Sequence, residues 1–132
     1  MTEFGFPVLV FISCMLFQCE GVITSPAEGT EFVFLPRSTG KLTWTFNDGI
    51  SSVSFRAWFF THSGGSTSER LATIADDDDP KIRKSNLSGI EIVKPATLLL
   101  KKVNQSYDGI YRFQLSGSSP VAVTIGVRVY IA

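Results

Sequence analysis

The last run of the chain, "VAVTIGVRVYIA" (Val121–Ala132), constrains the fold more than any other stretch. Val121, Val123, Ile125, Val127, Val129 and Ile131 fall on every second residue. A period of two places all six branched side chains on one face of an extended strand. A strand with one apolar face is stable only when a second layer covers it. Other segments repeat the pattern. "EFVFL" (Glu31–Leu35) is one short apolar run, and "KLTWTF" (Lys41–Phe46) puts Leu42, Trp44 and Phe46 on one side. "SSVSFRAWFF" (Ser51–Phe60) carries aromatics on both sides, while "GIEIV" (Gly89–Val93) and "ATLLLKKV" (Ala96–Val103) are separated by Lys94-Pro95. Turn signals punctuate these runs, at "NDG" (Asn47–Gly49) and "HSGGS" (His62–Ser66). No stretch reads as a convincing helix and no internal repeat is present. These residues predict an all-β chain built as a sandwich or a small barrel.

Size and charge narrow the role. The chain has 132 residues, enough for one domain, and 12 basic residues balance 12 acidic ones. Proteins that bind nucleic acid or an anionic membrane usually carry a basic excess, so neither is expected as a partner. A hydrophobic fraction of 44% with 11 Phe supports a packed core. The apolar run "FPVLVFISCMLF" (Phe6–Phe17) falls short of the ~20 residues that a spanning helix needs. Small residues follow at Cys19 and Gly21. Residues 1–21 therefore read as a secretory signal peptide and residues 22–132 as the domain, although "MTEFG" at the start lacks the usual basic residues. Cys14 and Cys19 both lie in the leader, so the domain would contain no cysteine. The sequence contains no spanning segment after the leader and ends without a lipid signal, which fits either a secreted domain or a fragment of a longer receptor.

The order of the runs resembles an immunoglobulin V-set domain over nearly all of residues 22–132. The resemblance is carried by Leu42–Phe46 as strand B, Trp58 as strand C, Ala96–Val103 as strand E and "SYDGIYRF" (Ser106–Phe113) as the E–F corner and strand F. The long alternating run would be strand G. It implies a two-sheet antiparallel V-type sandwich in which Trp44 and Phe113 occupy the positions of the inter-sheet cysteines. Tyr111 matches the tyrosine-corner position, and either Trp58 or Phe55 would be the core aromatic of strand C. A cross-link between positions 44 and 113 would contribute roughly 4 kcal/mol by chain entropy. Burying two large aromatic side chains contributes about 1.5–3 kcal/mol each, and ring pairing about 0.5–1.5 kcal/mol more. An aromatic plug of Trp44, Phe113, Trp58 and Tyr111 can thus stand in for the bridge. The resemblance also places an arginine–aspartate pair where this chain has Gly89 and Tyr107. Asp108-Gly109 reads as a turn dipeptide rather than a rescued pair with Arg83.

Residues able to carry a reaction are sparse. The single histidine, His62, sits in a Gly/Ser-rich turn without soft partners for zinc. No glycine-rich phosphate loop and no G-x-S-x-G elbow occur. No enzyme activity, cofactor or metal is expected. "DDDDP" (Asp76–Pro80) could offer hard oxygens to calcium, but the spacing of a calcium loop does not follow. It reads instead as a solvated loop balanced by "KIRK" (Lys81–Lys84). Asn86-Leu87-Ser88 and Asn104-Gln105-Ser106 are sequons for N-glycosylation in predicted loops.

V-set domains recognise partners through the sheet that carries strands G, F, C and C′. On strand C, Val53, Phe55, Ala57 and Phe59 alternate with Ser54, Arg56, Trp58 and Phe60, and only one set can face inward. The candidate binding face comprises Arg56, Phe60, Arg112, Gln114, Arg128 and Tyr130, an aromatic and arginine surface of the kind interfaces favour. The resemblance, similar also to disulfide-free domains of invertebrate cell-surface recognition receptors, implies an extracellular adhesion or receptor-type domain. Its partner would be a protein ligand, self-association included, at the cell surface or in secretion. The alternative is a secreted module that binds glycans or microbial surfaces.

Overall fold

The computed structural model describes residues 23–47, 53–117 and 122–132. The leader assigned to residues 1–21 lies outside these, as do Val121 and most of the Asn47–Gly49 turn. The first strands are β1 (Ile23–Ser25), β2 (Thr30–Phe34), β3 (Gly40–Thr43) and β4 (Thr45–Phe46). Two eight-residue strands follow, β5 (Phe55–His62) and β6 (Ser68–Ala75), then the short β7 (Lys81–Ile82). The chain continues through β8 (Ile90–Val93), β9 (Thr97–Leu100), β10 (Gly109–Ser116) and β11 (Val123–Ile131). A 3-10 turn at Gln105–Tyr107 leads into β10.

The larger sheet has six strands in the order β2-β11-β10-β5-β6-β7, and β3-β9-β8 form a smaller one. β1 pairs with β4. Pairing is antiparallel throughout except that β2 runs parallel to β11. Both main sheets keep open edges, so the architecture is a sandwich and not a closed barrel. The run Lys41–Phe46 is not one strand. Trp44 separates β3 from β4, its N–H held by the Ala96 carbonyl at 3.0 Å, yet Leu42, Trp44 and Phe46 still point inward together.

Alternation explains most of the packing. On β11, Val127, Val129 and Ile131 are buried, and Val123 and Ile125 pack against the same core. On β10, Tyr111, Phe113 and Leu115 are buried between them. The Phe113 ring lies 5.6 Å from Trp44 and 5.1 Å from Trp58, centroid to centroid. Neither indole N–H has a hydrogen-bond partner, so packing alone holds both rings. Tyr111 donates its hydroxyl proton to the Tyr107 carbonyl at 2.6 Å, a tyrosine corner. The Tyr107 hydroxyl in turn accepts the Gly89 N–H at 2.7 Å.

Candidate functional site

Residues paired directly across neighbouring strands share a face, so the register sorts β5 unambiguously. Phe113 faces Trp58, Tyr111 faces Phe60 and Leu115 faces Arg56, all toward the interior. Arg56 and Phe60 therefore do not belong to the binding face predicted for them. Arg56 is fully buried, and Phe60 packs 4.6 Å from the Tyr111 ring. Trp58 is the core aromatic, while Phe55 stands on the outer face, half-buried.

A buried guanidinium needs partners, and Arg56 finds backbone ones. Nη1 donates to the Pro95 carbonyl at 2.8 Å and Nη2 to the Asp76 carbonyl at 2.6 Å. The Asp77 carboxylate stands 4.0 Å from Nη2. Burial pulls the Arg56 pKa below the usual arginine value, and Asp77 opposes that shift. The acidic run is thus tied to the fold by Arg56 and by Lys94, whose Nζ reaches the Asp77 carboxylate at 3.5 Å and its carbonyl at 3.0 Å. The expected balance with Lys81–Lys84 is not what holds it. The aspartates are exposed, and among the described residues no His, Cys, Asp and Glu side chains cluster as metal ligands.

The other side of the six-stranded sheet is open to solvent and keeps four of the six predicted residues. Its middle row runs Arg70, Phe59, Arg112 and Gly126 across β6, β5, β10 and β11. Beside it lie Thr73, Ala57, Gln114 and Thr124, and on the other side Ser68, Thr61, Ile110 and Arg128. Tyr130 stands opposite exposed Val33 of β2. At Gly126 a Cβ would come within 3.1 Å of Arg112 Cγ, so the arginine stem lies across its backbone. Phe59, Arg70 and Ile110 are additions to the predicted face. The signal for Phe59 was present, because fixing Trp58 inward forces residue 59 outward.

Arg128 is partly committed to the fold. Its Nη1 lies 2.9 Å from Asp108 Oδ1 and 3.3 Å from the Gly109 carbonyl, and the guanidinium sits 4.1 Å above the Tyr130 ring. Asp108 also accepts the Ile131 N–H at 2.9 Å. Burial alone would raise the Asp108 pKa, but hydrogen bonds from Ile131, Arg128 and Ser63 outweigh it and hold the carboxyl below its ordinary value. Asp108 is therefore more than a turn residue, and its ion partner is Arg128 rather than Arg83. Both sequon asparagines are exposed. Asn104 caps the 3-10 turn, accepting the Ser106 N–H at 2.9 Å, and Asn86 lines a concavity of about 460 Å³ with Phe60, His62 and Ser106.

These elements define the class of the molecule: an immunoglobulin-like β-sandwich, with a plugged interior and an open outer sheet face. No protein-family model matches the chain, and no curated protein sequence matches it significantly. Solved structures do match. One comes from photo-crosslinking analyses of multimeric cell-adhesive interactions of VGSC beta subunits. It is 20% identical, with a TM-score of 0.63 over 84% of this chain and 98% of that one. A chain from a structure on T cell specificity and activation by the bacterial superantigen toxic shock syndrome toxin-1 is 12% identical. Its TM-score is 0.67, again over 84% and 98% of the two chains. The first Ig-like domain of human CD48 antigen is 13% identical, with a TM-score of 0.64 over 84% and 89%. At these identities the likeness establishes the fold.

Proposed function

We propose that the chain is an extracellular recognition domain that binds a protein ligand, self-association included, through the outer face of β11, β10, β5 and β6. We assign it a binding role and no reaction. The observation that carries this reading is the row Arg70–Phe59–Arg112. Half-buried Phe59 stands in register with Arg70 on one neighbouring strand and Arg112 on the other, at the middle of the outer sheet face. Aromatic and arginine side chains at the centre of a patch are the usual energetic anchors of protein interfaces. The parallel β2–β11 pair and the extension of the sheet by β6 and β7 support a V-type arrangement, with the face corresponding to strands G, F, C and C′. Adhesive interactions of the VGSC beta subunits are consistent with such a role.

The same reading takes residues 1–21 as a secretory leader, Asn86 and Asn104 as glycan acceptors, and the Trp44–Phe113 stack as the substitute for an inter-sheet bridge. Its setting is secretion or the outer face of the plasma membrane. The test uses the full chain made in a secretory host, applied to an array of extracellular domains and to beads coated with the chain itself. Arg112→Glu and Phe59→Glu should melt close to the parent and lose capture by at least tenfold, an effect on the order of 1.4 kcal/mol. Unchanged capture by both variants would remove the outer face from consideration. A secreted glycan-binding module is the second reading, favoured by the cations Arg70, Lys81 and Arg83 around one cleft. Binding on a glycan array without any protein capture would select it.

A further inference from the structure

The segment "DDDDPKIRK" (Asp76–Lys84) is acidic on one side of Pro80 and basic on the other. It forms the open edge of the six-stranded sheet, where β7 pairs only with Ala72 and Thr73 of β6. Next to it Arg70, Lys81 and Arg83 converge with Ala72, Thr73 and Ile82 on a cleft of about 360 Å³. Among the described residues no carboxylate lies within 4.0 Å of these three cations. At the acidic end, among the described residues, only the Asp77 side chain meets protein cations, Lys94 and Arg56. Asp76, Asp78 and Asp79 make no side-chain hydrogen bond or ion pair among the described residues, and Ile82 between the two halves is 49% exposed. One edge therefore carries unmatched acid and unmatched base a few residues apart, in a chain of zero formal net charge.

A surface with that layout complements itself under a two-fold rotation, because the acidic half of one copy meets the basic half of the other twice. We propose that two copies of this chain associate edge to edge across β7. The axis passes beside Pro80, and the aspartates of each copy enter the Arg70–Lys81–Arg83 cleft of the other. Pro80 has no N–H to donate, so it interrupts any continuous strand ladder between the copies and leaves charge pairing as the main attraction. The occupant of the cleft is thus a carboxylate run that the chain itself supplies. The cleft shares Arg70 and Thr73 with the outer face, whereas Asp78, Asp79, Arg83 and Lys84 belong to the edge alone and carry the test.

Sedimentation equilibrium of the full chain tests the assignment. Dimerisation should weaken between about 0.1 M and about 1 M salt, as the screening length falls from about 10 Å to about 3 Å. Two charge-reversed proteins give the sharper readout: Asp78→Lys with Asp79→Lys, and Arg83→Glu with Lys84→Glu. Each alone should dimerise at least tenfold more weakly, since like charges then face each other, and an equimolar mixture should regain the dimer. Should either pair fail to fold, the neutralising changes Asp79→Asn and Arg83→Gln should each weaken the dimer more mildly. A parent that stays monomeric, variants that dimerise undiminished, or a mixture that stays monomeric would overturn the inference. So would a monomer that binds a sulfated polysaccharide through the cleft. Loss of the dimer in Arg112→Glu alone would move self-association to the outer face, favouring the proposed function while ending this one.

Discussion

The phenyl ring at position 113 is where three other rings converge, with Trp58 at 5.1 Å, Trp44 at 5.6 Å and Phe46 at 6.3 Å. All the contact energy there is dispersion and dehydration, both of which scale with the atoms present. Phe113→Ala should therefore cost about 3–5 kcal/mol, a large share of the roughly 5–15 kcal/mol that holds a domain together. A urea melt reads this directly, and a loss below about 1 kcal/mol would show that the ring is not a keystone. A different economy operates at Gly89 and Tyr107, where the resemblance expects opposite charges. Here the Gly89 N–H bonds the Tyr107 hydroxyl, and a Cβ at 89 would meet the Lys101 carbonyl at 2.4 Å. Both residues are needed together, which is why they read as two unrelated departures in the sequence. Tyr107→Phe removes the acceptor of this part-buried N–H and should cost about 0.5–1.5 kcal/mol. Asp108 gives a pH signature. Its folded pKa lies below the ordinary 3.8, so the carboxylate contributes its full stabilisation above that value and loses it as pH falls through the folded pKa. The melting gap between the parent and Asp108→Asn should accordingly be open at neutral pH and close as the pH drops below about 4. A gap that widened in acid would contradict the assignment.

β5 and β6 show why an element can be legible while its facing is not. Period two divides β5 into Phe55, Ala57, Phe59 and Arg56, Trp58, Phe60, two sets that both contain aromatics, so hydrophobicity cannot rank them. A charge at 56 argues for the outside by composition, yet inside the carbonyls of Asp76 and Pro95 meet Nη2 and Nη1, with Nε left unpartnered. Those partners lie 20 and 39 residues away and carry no signature in sequence. β6 hides for a related reason. Its register shifts opposite Trp58 and Phe59, leaving Leu71 as the extra residue, so Leu71 and Ala72 are both buried and strict alternation breaks. Arg56 also joins elements, since it holds the loop after β6 and the turn between β8 and β9 at once. Arg56→Met fills similar volume but removes both hydrogen bonds. A hydrogen bond to a charged group contributes about 1.5–3 kcal/mol, offset in part because the buried charge goes with it, so global stability should fall by about 1–3 kcal/mol. Amide exchange at residues 76–79 and 94–96 should quicken most. Equal exchange rates in parent and variant would mean the loop is held by other contacts.

At the scale of the whole molecule, the alternating runs and turn signals carried the sandwich, because a sheet with one apolar face has few ways to be covered. The outer face was less readable, since it depends on the register between β5, β10 and β11 and on which face of β5 turns inward. What closes the two layers is also visible in the chain path. The N-terminal stretch places β1 against β4 and then β2 against β11, so it contributes to both layers within a dozen residues. Among the described residues none is a cysteine, and the sequence has only Cys14 and Cys19. No covalent bridge can then span the layers from residue 23 onward, and cohesion must come from buried side chains such as the rings around Phe113. A disulfide acts largely by restricting the unfolded chain, so its reduction lowers the melting point of a bridged sandwich by an amount equivalent to about 2–4 kcal/mol. Here the melting curve of the full chain should be the same with and without a strong reductant. A lower midpoint under reduction would require a bond involving Cys14 or Cys19, and so a retained N-terminal segment. It would also show that the aromatic plug is not sufficient on its own.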